Sequence, residues 1–239
     1  MKRYLAITIA LVGFGAIASA DTFSTVTALQ QSTSPTWDII DWGDNAGGQS
    51  APYYGLTSPL AYTSFNGNTG TVTNASGADM AYVQDGNGWA GNFDFGANAL
   101  WNQNFNTDPA DGLIVTFSSP LNSVGFELDA NYYGTFTGQL EVFDASHTLL
   151  DTLTLGGLMN GNGDGSALFM GLMDDSGANI YSIDIQTYNS IDTNDFAIDD
   201  ITMTSDSSSV PEPGSVFLLA SVVLGVAGLL RRRLSGESA

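Results

Sequence analysis

Two adjacent aspartates, Asp199 and Asp200, interrupt the last apolar run of the chain. Side chains alternate between the two faces of a β-strand, so Asp200 should share a face with Phe196 and Ile198. The next apolar residue, Ile201, has the opposite parity. The pattern therefore predicts either a β-bulge that resets the register or a buried Asp200 that needs a partner.

A calcium ion is one partner that these aspartates could take. Calcium prefers oxygen ligands such as carboxylates, and no Lys or Arg lies between Asp21 and Val210. Backbone donors, hydroxyls and amides are the alternative partners. We therefore treat Asp199 and Asp200 as a candidate structural Ca²⁺ site, with Asp21 or Asp38 from an N-terminal strand as a further ligand.

A glycine-rich segment at residues 160–165 reads Asn-Gly-Asn-Gly-Asp-Gly. Oxygen-bearing side chains at alternate positions and glycine at the sixth match the first half of an EF-hand calcium loop. The twelfth position of such a loop needs a bidentate acid, but here it is Gly171. A glycine-rich turn is therefore the preferred interpretation.

Aromatic side chains offer a second kind of chemistry, because an exposed ring can stack on the face of a sugar. All the tryptophans lie in the first half of the chain. They are either core residues, which we favour, or a glycan-contact platform made of Trp37, Trp42, Trp89 and Trp101.

Catalytic constellations are poorly represented. His147 is the only histidine and lies in an Asp-Ala-Ser-His turn, so a Ser-His-Asp triad is disfavoured. Glu127 and Glu141 could form a glycosidase pair, but both also fit the polar face of a strand. We predict no catalytic residue, and keep a secreted glycoside hydrolase as the second alternative function.

The distribution of charged residues excludes some classes of binding partner. The chain has 25 acidic and five basic residues, and the basic ones all lie in the two end segments. Two acids, Glu212 and Glu237, lie in the tail, so 23 fall between Asp21 and Val210. Such a surface repels nucleic acid. Cysteine is absent, so disulfides and thiolate metal sites are excluded.

The sequence pattern predicts that β-strands position these candidate site residues. Short alternating or apolar runs recur between Gly, Asn, Asp and Ser clusters, and no segment has a helical period. One domain of eight or more antiparallel strands at residues 21–205 is predicted, in a jelly-roll-like β-sandwich. The predicted strands are residues 26–29, 37–42, 60–65, 71–73, 80–83, 113–117, 123–128, 138–143, 149–155, 180–187 and 196–204.

The N-terminal segment, residues 1–20, has the organisation of a signal peptide. A positive start precedes an apolar run at residues 5–17, and Ala18-Ser19-Ala20 is an A-x-A cleavage site. Cleavage by signal peptidase after Ala20 would leave Asp21 as the mature N-terminus.

The C-terminal segment begins with a polar linker at residues 206–209. Pro211, Glu212 and Pro213 follow, and then an apolar stretch that predicts a single transmembrane helix at 214–230. The purely apolar part has fifteen residues and spans about 22 Å as a helix, against ~30 Å for a bilayer core. Arg231, Arg232 and Arg233 should hold its end in the cytoplasm as a stop signal.

The order Pro-Glu-Pro, short apolar helix and terminal Arg cluster resembles the PEP-CTERM sorting domain, here at residues 210–234. The resemblance implies recognition of Pro211, Glu212 and Pro213 by an exosortase in a Gram-negative bacterium. It also implies transient anchoring in the inner membrane, removal of the tail, and delivery to the cell surface or the extracellular matrix.

The body shows a weaker resemblance to the jelly-roll β-sandwich bodies of many PEP-CTERM proteins and of some carbohydrate-binding modules. It rests on a Val-Gly-Phe strand at 124–126, a Glu-Val-Phe-Asp segment at 141–144 and Phe-Ala-Ile-Asp-Asp-Ile at 196–201. We expect an exported, non-enzymatic structural or adhesive protein, associated with extracellular polysaccharide or biofilm matrix. A carbohydrate-binding module is the first alternative.

Overall fold

The computed structural model describes residues 22–26, 37–47, 51–74, 79–103, 112–189, 191 and 193–205. The signal segment, the linker and the sorting segment, including the predicted helix at 214–230, lie outside these residues. Within the described part, no helix is long and apolar enough to span a membrane.

Sixteen strands and one four-residue helix form the described part. In chain order they are β1 (Phe23–Thr25), β2 (Trp37–Ile40), α1 (Trp42–Asn45), β3 (Tyr53–Leu56), β4 (Leu60–Thr63), β5 (Thr69–Asn74), β6 (Met80–Asp85), β7 (Gly88–Trp89), β8 (Asn98–Asn102), β9 (Leu113–Leu121), β10 (Ser123–Ala130), β11 (Gly134–Phe143), β12 (Leu149–Met159), β13 (Leu168–Asp174), β14 (Ile180–Tyr188), β15 (Phe196–Ile198) and β16 (Ile201–Thr204).

The strands make two sheets, which confirms the all-β sandwich. One has ten strands, with the main order β1-β13-β10-β15-β8-β6-β3; β16 pairs with β10 and β2, and β7 with β6. The other has six, in the order β12-β11-β14-β9-β5-β4. All pairs are antiparallel except the short one between β6 and β7.

The main core fills the space between the sheets. The ten-stranded sheet contributes Val124, Phe126 and Leu128, and the six-stranded sheet contributes Leu140 and Val142, all in one apolar cluster. Each set alternates along its strand, as expected when one face of a sheet is buried. Polar residues of the same strands therefore point away from this core.

Two predicted boundaries were wrong for local reasons. The predicted strand at 37–42 stops at Ile40, because Asp41 caps helix α1: its carboxylate accepts from Gly43 N at 2.6 Å and Asp44 N at 3.2 Å. The predicted strand at 113–117 continues instead to Leu121 in β9. Residues 118–120 have no partner positions in β14, because Thr116 faces Ser182 while Leu121 faces Ile180.

Candidate functional site

The paired aspartates lie in a β-bulge of the closing segment. On the neighbouring strand β10, Leu128 faces Ile198 and Gly125 faces Thr202. These two pairings are three residues apart in β10 but four residues apart between Ile198 and Thr202, so the segment from β15 to β16 contains one extra residue. The bulge returns Ile201 to the main core that also contains Ile198. The parity slip in the sequence is thereby explained, and the bulge interpretation is confirmed.

Helix α1 anchors this bulge from the other side. The indole Nε1 of the fully buried Trp42 donates to the Asp199 carbonyl at 3.0 Å, and its backbone N approaches Asp200 Oδ1 at 3.4 Å. The backbone N of Asp200 donates to Asp199 Oδ1 at 2.6 Å. The two carboxylates thus have fixed positions, held by neutral donors.

Both carboxylates resist ionisation. Burial, and then the negative charges of Asp199 and Asp41, raise the pKa of Asp200 to about 8. Burial is also the main cause that raises the pKa of Asp199 to about 6, with Asp41 and Asp94 adding to it. On the adjacent strand, burial followed by Asp199 and Asp94 raises the pKa of Glu127 to about 7.

The two bulge carboxyl groups can hold protons or attract a cation, and Asp199 lies near enough to Glu127 to raise the pKa of that side chain. Asp38, expected as a further ligand, is occupied elsewhere: it accepts from Ser64 Oγ at 2.5 Å, Asn68 Nδ2 at 2.6 Å, Asn66 N at 2.8 Å and Ile39 N at 2.9 Å. Asp21 lies outside the described residues. In the described part of the chain, no three acidic or histidine side chains form a group that could hold a metal ion.

A second layer covers the outer face of the ten-stranded sheet, the face turned away from the main core. We define this outer layer as residues 86–97 and 160–167. Trp89 and Phe93 from the first segment pack on Ala81, Ala99 and Ala197, which point outward from the sheet. These residues form a small apolar cluster of their own, so the outer face is a partly buried site.

Asn92 joins the two segments of the outer layer. Its side chain accepts from Asn160 N at 3.1 Å and Gly161 N at 2.8 Å, and donates to the Leu158 carbonyl at 2.7 Å. The residue is almost fully buried. The glycine-rich segment at 160–165 is therefore a packed turn, as we preferred, and its Asp164 accepts from its own neighbour Ser166 at 2.5 Å.

Two buried carboxylates lie under the outer layer. Asp129 is 0% exposed and Asp85 is 4% exposed. Asp129 Oδ2 accepts from Asn92 N at 2.7 Å, whereas Asp129 Oδ1 and Asp85 Oδ2 are buried without a hydrogen-bond partner among the described residues. Burial outweighs the Asn92 hydrogen bond and, with the charge of Asp85, raises the pKa of Asp129 to about 7. Burial also raises the pKa of Asp85, against three backbone hydrogen bonds that lower it.

Beside the outer layer lies a groove of about 410 Å³, which we call the aromatic groove. Trp89 and Trp101 form part of its lining, with ring centroids 5.5 Å apart in an edge-to-face arrangement. Tyr133, which is 66% exposed, also lines it. Its remaining lining residues are Gly86, Gly88, Ala90, Asn131 and Met159.

The structure does not bring the four tryptophans together in one platform, which was the less favoured of our two interpretations. Trp42 is buried in the main core, where its indole donates a hydrogen bond to the bulge. Trp37 lies on β2, which pairs with β16. Only Trp89 and Trp101 come together, and Trp89 is 5% exposed. Trp42 is therefore a core residue, whereas Trp89 and Trp101 line the aromatic groove.

The glutamate pair is also not formed. Glu127 points outward from the ten-stranded sheet beside Asp199, whereas Glu141 lies in the six-stranded sheet and accepts from Gln139 Nε2 at 2.9 Å. The core separates the two carboxylates, because each strand turns its apolar residues inward between them. His147 is exposed and stacks on Phe143 with centroids 4.7 Å apart.

Other predicted site residues lie outside the described residues. They are the cleavage residues Ala18, Ala20 and Asp21, the sorting motif Pro211, Glu212 and Pro213, and the stop signal Arg231, Arg232 and Arg233.

Sequence reasoning missed Asp129, Asn92 and Tyr133. It also missed Asp195, whose carboxylate accepts from Trp101 Nε1 at 2.7 Å. Asp129 follows Glu127 at the same parity, which places both on the outward face, and an outward aspartate is normally solvated. The signal for Asn92 is weak: a lone Asn inside Gly-Asn-Phe-Asp-Phe at 91–95. Its contacts with residues 158–161 are about seventy positions away and have no local signature.

Comparison with known proteins yields little. No protein family profile matches the chain, and no curated protein matches it. One solved structure, a DUF4465 family protein from Bacteroides caccae, shares 10% identity and aligns with a TM-score of 0.39. The alignment covers 77% of this chain and 100% of that one. A resemblance at this level carries no argument about function.

Proposed function

We propose that this chain is an exported structural or adhesive protein of a Gram-negative bacterium, sorted by an exosortase and working without catalysis at the cell surface or in the biofilm matrix. One observation carries the proposal: the Pro211-Glu212-Pro213 motif, apolar stretch and Arg cluster follow, in that order, a sandwich whose last strand ends at Thr204. A folded body followed directly by a sorting tail is the organisation that such a protein requires.

The membrane part of the proposal follows from the tail. The helix at 214–230 would hold the precursor in the inner membrane, with Arg231, Arg232 and Arg233 on the cytoplasmic side. Signal peptidase and the exosortase are the two processing partners, and nucleic acid is not a partner. For the body, we propose the jelly-roll class of β-sandwich.

The chemistry of the body supports an extracellular role. The described residues contain no Lys or Arg, yet most buried carboxylates are satisfied by amide, hydroxyl or backbone donors. Asp174 is an example, since its side chain accepts from Ser176 N at 2.8 Å and Asn179 Nδ2 at 2.8 Å. A surface of uniform negative charge keeps such a protein soluble outside the cell.

Replacing Glu212 tests the sorting proposal. We expect Glu212→Ala to leave the precursor in the inner membrane, because the motif loses its only charged group, while the original protein reaches the surface without residues 216–233. The intact mass of both forms is the measurement.

Glu237→Ala is the matched control, since it removes an acid from the same tail but outside the motif. Surface protein of the original sequence that still carries Arg231, Arg232 and Arg233 would refute the proposal.

The aromatic groove supports carbohydrate binding as a second function. Its floor contains the close pair of Trp89 and Trp101, and its volume of about 410 Å³ lies within the range of about 300–1,000 Å³ for ligand sites. In that case the body of the protein binds the same extracellular polysaccharide that forms the surrounding matrix.

Calcium binding at Asp199 and Asp200 remains part of the proposal. Two neighbouring carboxylates with raised pKa values would ionise more readily beside a divalent cation. A cation that binds only the native state stabilises it by about 2.7 kcal/mol at a hundredfold excess over its Kd.

We therefore expect millimolar CaCl₂ to raise the unfolding temperature above that in NaCl of equal ionic strength. Asp199→Asn and Asp200→Asn should each abolish the difference, whereas Asp79→Asn, on an exposed residue, should keep it. Equal midpoints in the two salts would remove calcium from the proposal, and a shift that survives both bulge variants would refute the placement.

A further inference from the structure

The aromatic groove has the geometry of a site for a flat, partly apolar ring. Gly86, Gly88 and Ala90 give one wall almost no side chain, so a ring can approach the backbone. Exposed aromatic rings flank this wall: Tyr133 lines the groove, and Phe95, 79% exposed, packs against Gly86. Large aromatic side chains that remain exposed at a concave surface mark a binding site.

The groove is also held rigid before any ligand binds. Asp195 accepts from Trp101 Nε1 at 2.7 Å and from Asn131 Nδ2 at 2.8 Å, so one buried carboxylate fixes two lining residues. Tyr133 is backed by Gly161, where a Cβ would lie 2.7 Å from its ring. A site whose side chains are already positioned loses little conformational entropy on binding.

The acidic side chains beneath the groove favour some polysaccharides over others according to the charge of the sugar. Three buried acids, Asp85, Asp129 and Asp195, lie directly under or beside its lining residues. Asp85 Oδ2 and Asp129 Oδ1 have no hydrogen-bond donor among the described residues, which include no Lys or Arg to offset the charge. Once these carboxyl groups are ionised, their field extends into the groove, because low-dielectric surroundings screen it weakly. Uronate or sulfated polymers are repelled there, and a positive group is attracted.

We propose that the aromatic groove binds a polysaccharide that carries free amino groups, such as a partly deacetylated hexosamine polymer. The ring faces stack on Tyr133 and Trp101, and the ammonium group lies in the negative field above Asp85 and Asp129. The inference rests on the proposed carbohydrate-binding function and adds to it the chemical class of the ligand.

Titration calorimetry of the full-length chain in mild detergent tests the inference at a pH of about 7. At this pH amines are still largely protonated, and Asp129, whose pKa is raised to about 7, is about half ionised. The probes are a glucosamine oligosaccharide, its fully N-acetylated counterpart, a uronate oligosaccharide of equal length, and oligolysine. We expect the glucosamine oligomer to bind about tenfold more tightly than the acetylated one, and the uronate oligomer not to bind.

Exposed residues supply variants that should not disturb folding. Tyr133→Ala and Phe95→Ala should each weaken glucosamine binding about fivefold, the effect of losing one ring contact with a sugar or cation. Phe65→Ala is the matched control, because Phe65 is 76% exposed but follows β4 in the other sheet. It should leave binding unchanged.

The remaining outcomes separate the two proposals. Equal binding of both hexosamine oligomers, lost in Tyr133→Ala, would refute the amino-group inference and keep carbohydrate binding. Binding of oligolysine as tight as that of glucosamine, unchanged in both groove variants, would show general attraction to an acidic protein and overturn the site. If no oligosaccharide binds, carbohydrate binding itself fails, while the sorting proposal stands on the Glu212 experiment.

Discussion

The body of the protein, residues 21–205, should unfold at a higher temperature at pH 5 than at pH 8. Six carboxyl groups have raised pKa values in the folded state. The pKa of Asp199 is raised to about 6, those of Glu127 and Asp129 to about 7, and that of Asp200 to about 8, and burial also raises the pKa of Asp85 and Asp184. In the unfolded chain they titrate near 4. The folded state therefore binds more protons between these values, and its stability falls as the pH rises.

The stabilisation is complete below about pH 4 and is lost as the pH passes through 6 to 8. Asp144 and Asp164 have lowered pKa values and act in the opposite direction, but both are solvent-facing and contribute little. For the four groups with stated pKa values, and after allowance for solvent screening of Glu127, Asp199 and Asp200, we expect a loss of about 3 kcal/mol. That corresponds to roughly 10 °C for a domain of this size.

Thermal melts at equal ionic strength measure the shift, and one variant locates its source. Asp129→Asn should raise the unfolding temperature at pH 8 more than at pH 5, because it removes a buried charge that exists only at high pH. Asp79→Asn, on an exposed acid, should leave the pH dependence unchanged. A body that is equally stable, or more stable, at pH 8 would contradict the assignment of raised pKa values.

Asn92→Ala should destabilise the body by about 3 kcal/mol, since it removes three hydrogen bonds made by an almost fully buried side chain. The outer layer would also lose the contact between its two segments, so the aromatic groove should open. Denaturant unfolding measures the free energy, and tryptophan fluorescence reports on the environment of Trp89 and Trp101.

Asn87→Ala is the matched control: it is an exposed asparagine of the same segment with one side-chain bond, to the Ala51 carbonyl at 3.2 Å. It should cost less than about 0.5 kcal/mol. If both variants cost the same, Asn92 is not the link that holds the outer layer on the sheet.

The strand pattern of the second half could be predicted because a buried face leaves a strict record in sequence. Alternation along residues 123–128 and 138–143 placed the inward residues correctly, and the slip after Ile198 located the bulge. Helix α1 could not be predicted in this way, because four residues are too few to show a helical period. Its capping residue, Asp41, was the local signal that remained.

The candidate site was harder to predict than the fold, because the outer layer covers a face that alternation assigns to solvent. Asp129 has the parity of an exposed residue, and only contacts with residues 91–92, almost forty positions away, bury it. The tryptophans presented the same difficulty. Their type indicated burial or stacking, but only the tertiary structure places Trp42 in the main core and Trp101 at a groove.

Carboxylates that are satisfied by amides and hydroxyls have a consequence for the durability of this protein outside the cell. A fold that needs no lysine or arginine as a counter-charge can omit both, and the chain does so between Arg3 and Arg231. Trypsin-like proteases cleave only after those two residues, so they find no bond to cut in the body, whether it is folded or transiently open. Resistance to that class of enzyme is therefore a property of the covalent chain and would survive even denaturation.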